Sequence, residues 1–292
     1  MLAFLIKLLS LLPLAVLRAA GGALGTLAYR VAPKYRNRIR EHLAQAGYDP
    51  DALGPAAARE AGKQALELPW AWGRSAEQIR ARIEVANPEV EQAALAAGRP
   101  VICLTPHFGC FEMASHYCAL THWRGARSIT VMYRIPRQDY VHDIVRNGRT
   151  RLGAQLATAD LRGVRTLLRA LKRGDAVGIL PDQVPGEGEG VWAPFFGRPA
   201  YTMTLPGKLG AASGATVLFI VVERARLADG RAGFRVHFAP VSAPLTGDGA
   251  RDAAQVNADL EQVIRIAPAQ YLWSYNRYKR PAGAPPPPEA AP

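Results

Sequence analysis

The chain has 292 residues, 49% of them apolar, with 36 Lys and Arg against 24 Asp and Glu for a net charge of +12. That length and apolar share build a sizeable core in one large domain or two small ones, and they exclude disordered and fibrous classes. The cationic excess is carried by 30 arginines and only 6 lysines. It points to an anionic partner, and charge alone leaves nucleic acid, phospholipid headgroups and an acidic protein open.

Residues Met1–Tyr29 come first and carry only two charges, Lys7 and Arg18. The uncharged runs Leu8–Leu17 and Ala19–Tyr29 fall short of the roughly 18 apolar residues of a plain spanning helix. Lys7 and Arg18 are eleven residues apart and would share one helical face. The segment is therefore expected to lie shallowly in a membrane, or to span it tilted, with both cations snorkelling to the headgroups. Lys7 interrupts what would be the apolar stretch of a cleaved signal peptide, so residues 1–30 are expected to stay as an anchor helix. Arg30, Lys34, Arg36, Arg38 and Arg40 follow, opposed by Glu41 alone. Such a cluster beside an apolar helix favours the cytoplasmic side and anionic lipid.

Pro33–Gly47 and Pro55–Gly73 read as helices opened by Pro and closed by Gly, and Pro88–Ala97 as a third. Beyond Pro100 the pattern changes to short apolar runs: Val101–Thr105, Ser128–Tyr133, Ala176–Leu180, Thr216–Val222 and Phe234–Phe238. Helical stretches alternate with them over Phe111–His122, Arg137–Leu152, Leu161–Lys172, Thr202–Ala212 and Ala253–Ile266. This alternation predicts an α/β fold, a sheet flanked by helices, over residues 31–280 with their helical lead-in. The proline-rich tail, residues 281–292, is expected to be disordered. The three cysteines, Cys103, Cys110 and Cys118, lack metal or disulfide spacing and are expected to be reduced thiols in a cytosol-facing protein.

The candidate chemistry lies in Val101–Glu112. His107 falls at the carboxyl end of a predicted strand, where open α/β sheets place their sites. Glu112 follows about one turn into the next helix, and Gly109 allows the chain to bend between them. The two are expected to hydrogen-bond, with Glu112 fixing the imidazole tautomer and His107 acting as general base. No competing nucleophile stands out: there is no G-x-S-x-G elbow, and Cys110 is poorly placed across the turn. Gly186–Gly190 is glycine-rich but acidic, with no Lys-Ser/Thr after it, and reads as a mobile loop rather than a phosphate cradle. Trp192, Phe195 and Phe196 are either core or the wall of a greasy pocket. No metal or cofactor motif is present. A histidine base without a protein nucleophile implies a hydroxyl on the substrate, and the apolar N-terminus suggests acyl transfer from a thioester onto a lipid.

Pro106-His-Phe-Gly-Cys-Phe-Glu-Met113 resembles the His–x4–acid motif of the glycerolipid acyltransferases, in the variant carried by the lipid A late acyltransferases. Tyr133-Arg134, the pair Arg149 and Arg151, and Leu180-Pro-Asp-Gln183 with Phe195-Phe-Gly197 match in order, so the resemblance runs to about Pro281. It implies a mixed sheet flanked by helices and an enzyme on the cytoplasmic face of an inner membrane. That enzyme would take acyl groups from acyl carrier protein and place them on a lipid A precursor, with no cofactor. His107 would be the base, Glu112 its orienter and Arg134 an anion contact, with Tyr133, Arg149, Asp182 and Gln183 supporting substrate binding. The closing motif departs from the family, which carries a His after Leu-Trp where this chain has Leu272-Trp-Ser-Tyr-Asn276. The alternatives are another lipid acceptor (a lysophospholipid, an ornithine lipid or a glycolipid) and a non-catalytic lipid-binding protein.

Between Trp123 and Asp175 twelve cations face four acids, so one segment carries two-thirds of the net charge. An acidic carrier protein or a phosphorylated lipid would be drawn there. Nucleic acid is disfavoured, since only Tyr133 and Tyr140 follow Trp123 as aromatics in that stretch.

Overall fold

Pro13 divides the apolar N-terminus. The computed structural model describes residues 2–123, 127–136, 138–186 and 188–288. Within them the stretch forms α1 (Leu2–Ser10) and α2 (Leu14–Val31), bent 118° to one another, and no single helix is long and apolar enough to cross a membrane. The stretch read as one helix is thus two, since Pro13 lacks the N–H that would continue a helix. Lys7 and Arg18 consequently sit on different helices. One face of α2 buries Leu14 and Leu17, whereas Val16, Leu24, Leu27 and Val31 on its other side are exposed, as are Phe4, Leu5 and Leu8 on α1.

Helix α3 (Pro33–Gln45) precedes α4 (Pro50–Gly73), which starts a turn and a half earlier than its Pro55 suggests because Asp49 caps it, accepting from the Asp51 N–H at 2.8 Å. Helices α2 and α4 touch backbone to backbone. A Cβ at Gly25 would stand 2.0 Å from the Ala58 carbonyl oxygen, and one at Gly62 2.0 Å from that of Gly21. Only glycine permits that approach.

A seven-stranded mixed sheet follows, in the order β1-β9-β8-β2-β5-β3-β4. Its strands are β1 (Ile83–Val85), β2 (Val101–Leu104), β3 (Ile129–Tyr133), β4 (Gln155–Thr158), β5 (Ala176–Ile179), β8 (Thr216–Arg226) and β9 (Ala232–Pro240). All neighbours run parallel except β8 and β9. The central strands are buried on both faces, and their side chains alternate between two cores. Ile102, Leu104, Val177 and Ile179 enter one, while Val101, Cys103, Leu218 and Ile220 enter the other. The crossover helices are α7 (Glu112–Leu120), α8 (Asp139–Thr150) and α9 (Leu161–Lys172), with α10 (Leu205–Ser213) and α11 (Gly249–Ile264) further on and the short α5 (Ala76–Arg80) and α6 (Pro88–Ala96) before β2.

A separate hairpin, β6 (Gly190–Phe195) and β7 (Arg198–Met203), occupies the stretch read as a loop followed by aromatics. The start of the tail is packed rather than disordered. Ala284 is buried against Val184 and Tyr201, and the Pro285 carbonyl accepts the Trp192 indole N–H at 2.9 Å. Residues 289–292, together with Arg124, Arg137 and Glu187, lie outside the described residues.

Candidate active site

Strands β2, β5 and β3 are neighbours, so the turns that leave their carboxyl ends meet at one edge of the sheet, where crevices form in α/β folds. Cys103 pairs with Gly178 and Leu104 with Ile179. The turn after β2 delivers His107 and the turn after β5 delivers Asp182 and Gln183 at the same level. Asp182 is buried and accepts twice from His107: the backbone N–H at 2.7 Å through Oδ2, and ring Nδ1 at 2.8 Å through Oδ1. Burial alone would raise the Asp182 carboxyl, but the His107 imidazole and the Arg277 guanidinium outweigh it and hold the carboxyl below its usual range. With its proton on Nδ1, His107 presents Nε2 as an acceptor, and the Gln183 amide N–H meets it at 3.0 Å.

This arrangement corrects the expected pairing of His107 with Glu112. Glu112 opens α7 and points to the other side of the turn, where Arg149 donates to both of its oxygens and the Trp72 indole N–H reaches Oε2 at 3.3 Å. The Phe111 ring, 4.7 Å from the imidazole, takes the place beside His107. Burial would raise Glu112, and the Arg149 charge more than offsets this, so its carboxyl also stays below the usual range. The Cys110 thiol is buried and pushed well up by that burial, which makes it a poor nucleophile.

The His107 turn is rigid on its far side. Gly109 has φ +53°, and a Cβ there would lie 1.8 Å from the Val222 carbonyl oxygen. Its N–H donates to the Gln270 carbonyl at 2.9 Å, and the Leu272 N–H donates to the His107 carbonyl at 3.0 Å. The Gln270–Leu272 segment thus braces the histidine turn through backbone atoms.

A cavity of about 500 Å³ opens at His107, within the range of small-molecule sites. Met132, Leu161, Val164, Leu180, Val184 and Met203 supply apolar wall, and His107, Gln183, Tyr133, Arg134, Arg149 and Lys208 supply polar groups. Tyr133, Arg134, Arg149 and Gln183 line this cavity together, with Asp182 behind His107. Arg134 and Lys208 are exposed and have no ion-pair partner among the described residues. Trp192, Phe195 and Phe196 are not part of this wall. Phe195 and Phe196 pack in the core against Tyr271 and Trp273, and Trp192 stands against Tyr201 under the tail. Lys208 was not singled out in the sequence, because only the turn into α10 brings it to the cavity.

A carboxylate-held histidine at the mouth of a largely apolar cavity, with no serine or cysteine nucleophile beside it among the described residues, is an arrangement suited to general-base chemistry on a bound substrate. The sequence profile described as "Bacterial lipid A biosynthesis acyltransferase" matches residues 1–280. The chain is 29% identical over 228 residues to the lipid A biosynthesis palmitoleoyltransferase of Escherichia coli K12, covering 77% of this chain and 71% of that one. It is 32% identical over 137 residues to the lauroyltransferase of the same organism, covering 46% and 44%, and 28% identical over 202 residues to a lipid A biosynthesis acyltransferase of Haemophilus influenzae, covering 68% and 60%. The chain belongs to the bacterial lipid A biosynthesis acyltransferase family, and it is an acyltransferase.

Proposed function

We propose that this protein moves a fatty acyl group from the thioester of acyl carrier protein onto a hydroxyl of a lipid A precursor at the cytoplasmic face of the inner membrane. The observation that carries this reading is the geometry at His107, whose Nδ1 meets Asp182 at 2.8 Å while Nε2 stands at the cavity, 3.0 Å from the Gln183 amide. The acceptor hydroxyl displaces the Gln183 amide and gives its proton to Nε2 as its oxygen attacks the thioester carbonyl. The C–S bond then breaks, and the thiolate leaves with the proton that His107 holds. Asp182 orients the imidazole and stabilises the imidazolium. Glu112 serves the site through Arg149, which it fixes at the cavity wall.

Two further features support the partners. Arg134 and Lys208 at the cavity suit the phosphates of an anionic acceptor, and Arg162, Arg165, Arg169 and Lys172 form an exposed cationic stripe along α9 that suits an acidic carrier protein. The exposed apolar side chains of α1 and α2 suit a membrane surface. In a deletion strain complemented with the parent chain or with His107→Ala, mass spectrometry of total lipid decides the matter. Loss of one acyl chain from lipid A in the His107→Ala strain is expected; an unchanged lipid A with a missing chain on another lipid reassigns the acceptor.

A further inference from the structure

Arg18 is one of two charges in the apolar N-terminus, and the structure does not leave it at a membrane surface. It turns inward from α2 and donates through Nε and Nη2 to Glu67 Oε2 at 3.2 and 3.1 Å. Nη2 also reaches the Gly233 carbonyl at 2.8 Å, and the guanidinium lies 4.8 Å from the centroid of the Phe234 ring. Glu67, on α4, is completely buried, and its other oxygen accepts from Arg224 Nε on β8. Arg224 is buried too, and its Nη1 meets Glu60 at 3.2 Å. Its Nη2 donates to the Gly109 carbonyl at 2.7 Å, where the Gln64 amide adds a second bond at 3.1 Å. Gly109 lies two residues from His107. The chain of contacts therefore runs from the apolar N-terminal helix, through two buried charges, to the backbone of the histidine turn.

We propose that Arg18 is a positioning residue for the reaction at His107, acting through Glu67 and Arg224 on the Gly109 carbonyl. A buried carboxylate needs its partners. Without Arg18 one Glu67 oxygen loses its charged contact, and Glu67 can then satisfy itself only by pulling on Arg224. That movement reaches the Gly109 carbonyl directly, because the same guanidinium holds both. Displacements of this size at a catalytic base cost rate rather than substrate affinity. The seating of α2 on α4 is thereby tied to turnover.

This inference rests on His107 being the base, and the experiment separates the two. Full-length protein in detergent micelles is assayed with a labelled acyl thioester for Arg18→Met, Arg18→Lys and His107→Ala. For Arg18→Met, kcat is expected to fall about tenfold or more while KM for the lipid acceptor moves less than about threefold. Arg18→Lys keeps the charge, loses the fork, and is expected to recover part of the rate. The acidic limb of the kcat profile is expected to move in Arg18→Met, because the His107 contact with Asp182 loosens; a merely structural role would not move it. Parental kcat and an unmoved limb in folded Arg18→Met overturn the proposal while an inactive His107→Ala leaves the base intact. Should Arg18→Met fail to fold, Arg18→Lys decides: a lowered kcat with a shifted limb supports the proposal, and parental values overturn it. An active His107→Ala overturns the reading on which both stand.

Discussion

One carboxylate of Asp182 holds His107 twice, by the backbone N–H at 2.7 Å and by ring Nδ1 at 2.8 Å. Fixing the main chain and the ring from the same group leaves the imidazole little freedom to rotate, so its orientation and tautomer are set before substrate arrives. Asp182→Asn offers an oxygen to only one of these donors and turns its amide on the other. The expected result is a fall in kcat of about 10³-fold or more with little change in the thermal midpoint, measured by initial rates with a labelled acyl thioester.

Glu112 and Arg149 form an ion pair beside the site, and both side chains are nearly closed off from solvent, at 3% and 14% exposure. Glu112→Ala leaves the guanidinium buried without its partner and is expected to cost about 3–5 kcal/mol of stability. The double variant Glu112→Gln, Arg149→Met removes both charges and is expected to recover much of that loss. Denaturant unfolding of the three proteins checks both statements.

His116 lies one turn after Glu112 on α7, fully enclosed, and burial lowers its pKa from 6.5 to about 4. The unfolded chain binds a proton there below 6.5 whereas the folded chain does so only near 4, so stability is full above that window and falls as pH drops through it. The loss reaches about 3 kcal/mol. Thermal midpoints recorded from pH 7 to pH 4 are expected to fall, and less steeply in His116→Phe.

Gly109→Ala places a methyl group against the Val222 carbonyl in a backbone conformation that alanine resists. A loss of more than about 2 kcal/mol is expected from strain and clash together, and activity is expected to drop further than the folded fraction measured by circular dichroism.

What was legible in the sequence was what local pattern can carry. The apolar runs of β2, β3 and β5 and the 3.6-residue period of α9 stand out because burial on both faces, or on one stripe, writes itself into consecutive residues. His107 was found because its strand and turn are contiguous. Its true partner was harder to see as a partner: Asp182 lies 75 residues away, and only the order of strands in the sheet makes β2 and β5 neighbours. Glu112 is close in sequence, yet the direction of the first turn of α7 carries it to Arg149. Residues β6–β7 contain Pro194, Gly197 and Pro199, which argue for a loop, and the hairpin forms because it packs on α11, where Asn257 donates to the Pro194 carbonyl at 2.9 Å. Arg18 read as a membrane cation because its acidic partner belongs to another helix.

The glycine contact between α2 and α4 changes how the N-terminal segment can be handled. A helix joined to its neighbour only by lipid can be exchanged for any apolar stretch of equal length or trimmed away to ease expression. Here Gly21 and Gly25 are a keyed surface, and Leu14 and Leu17 are buried on the same face. A chimera that keeps the hydropathy of residues 14–31 while scrambling their order would preserve greasiness and lose the fit. The segment is a wall of the enzyme, and its replacement is a core mutation.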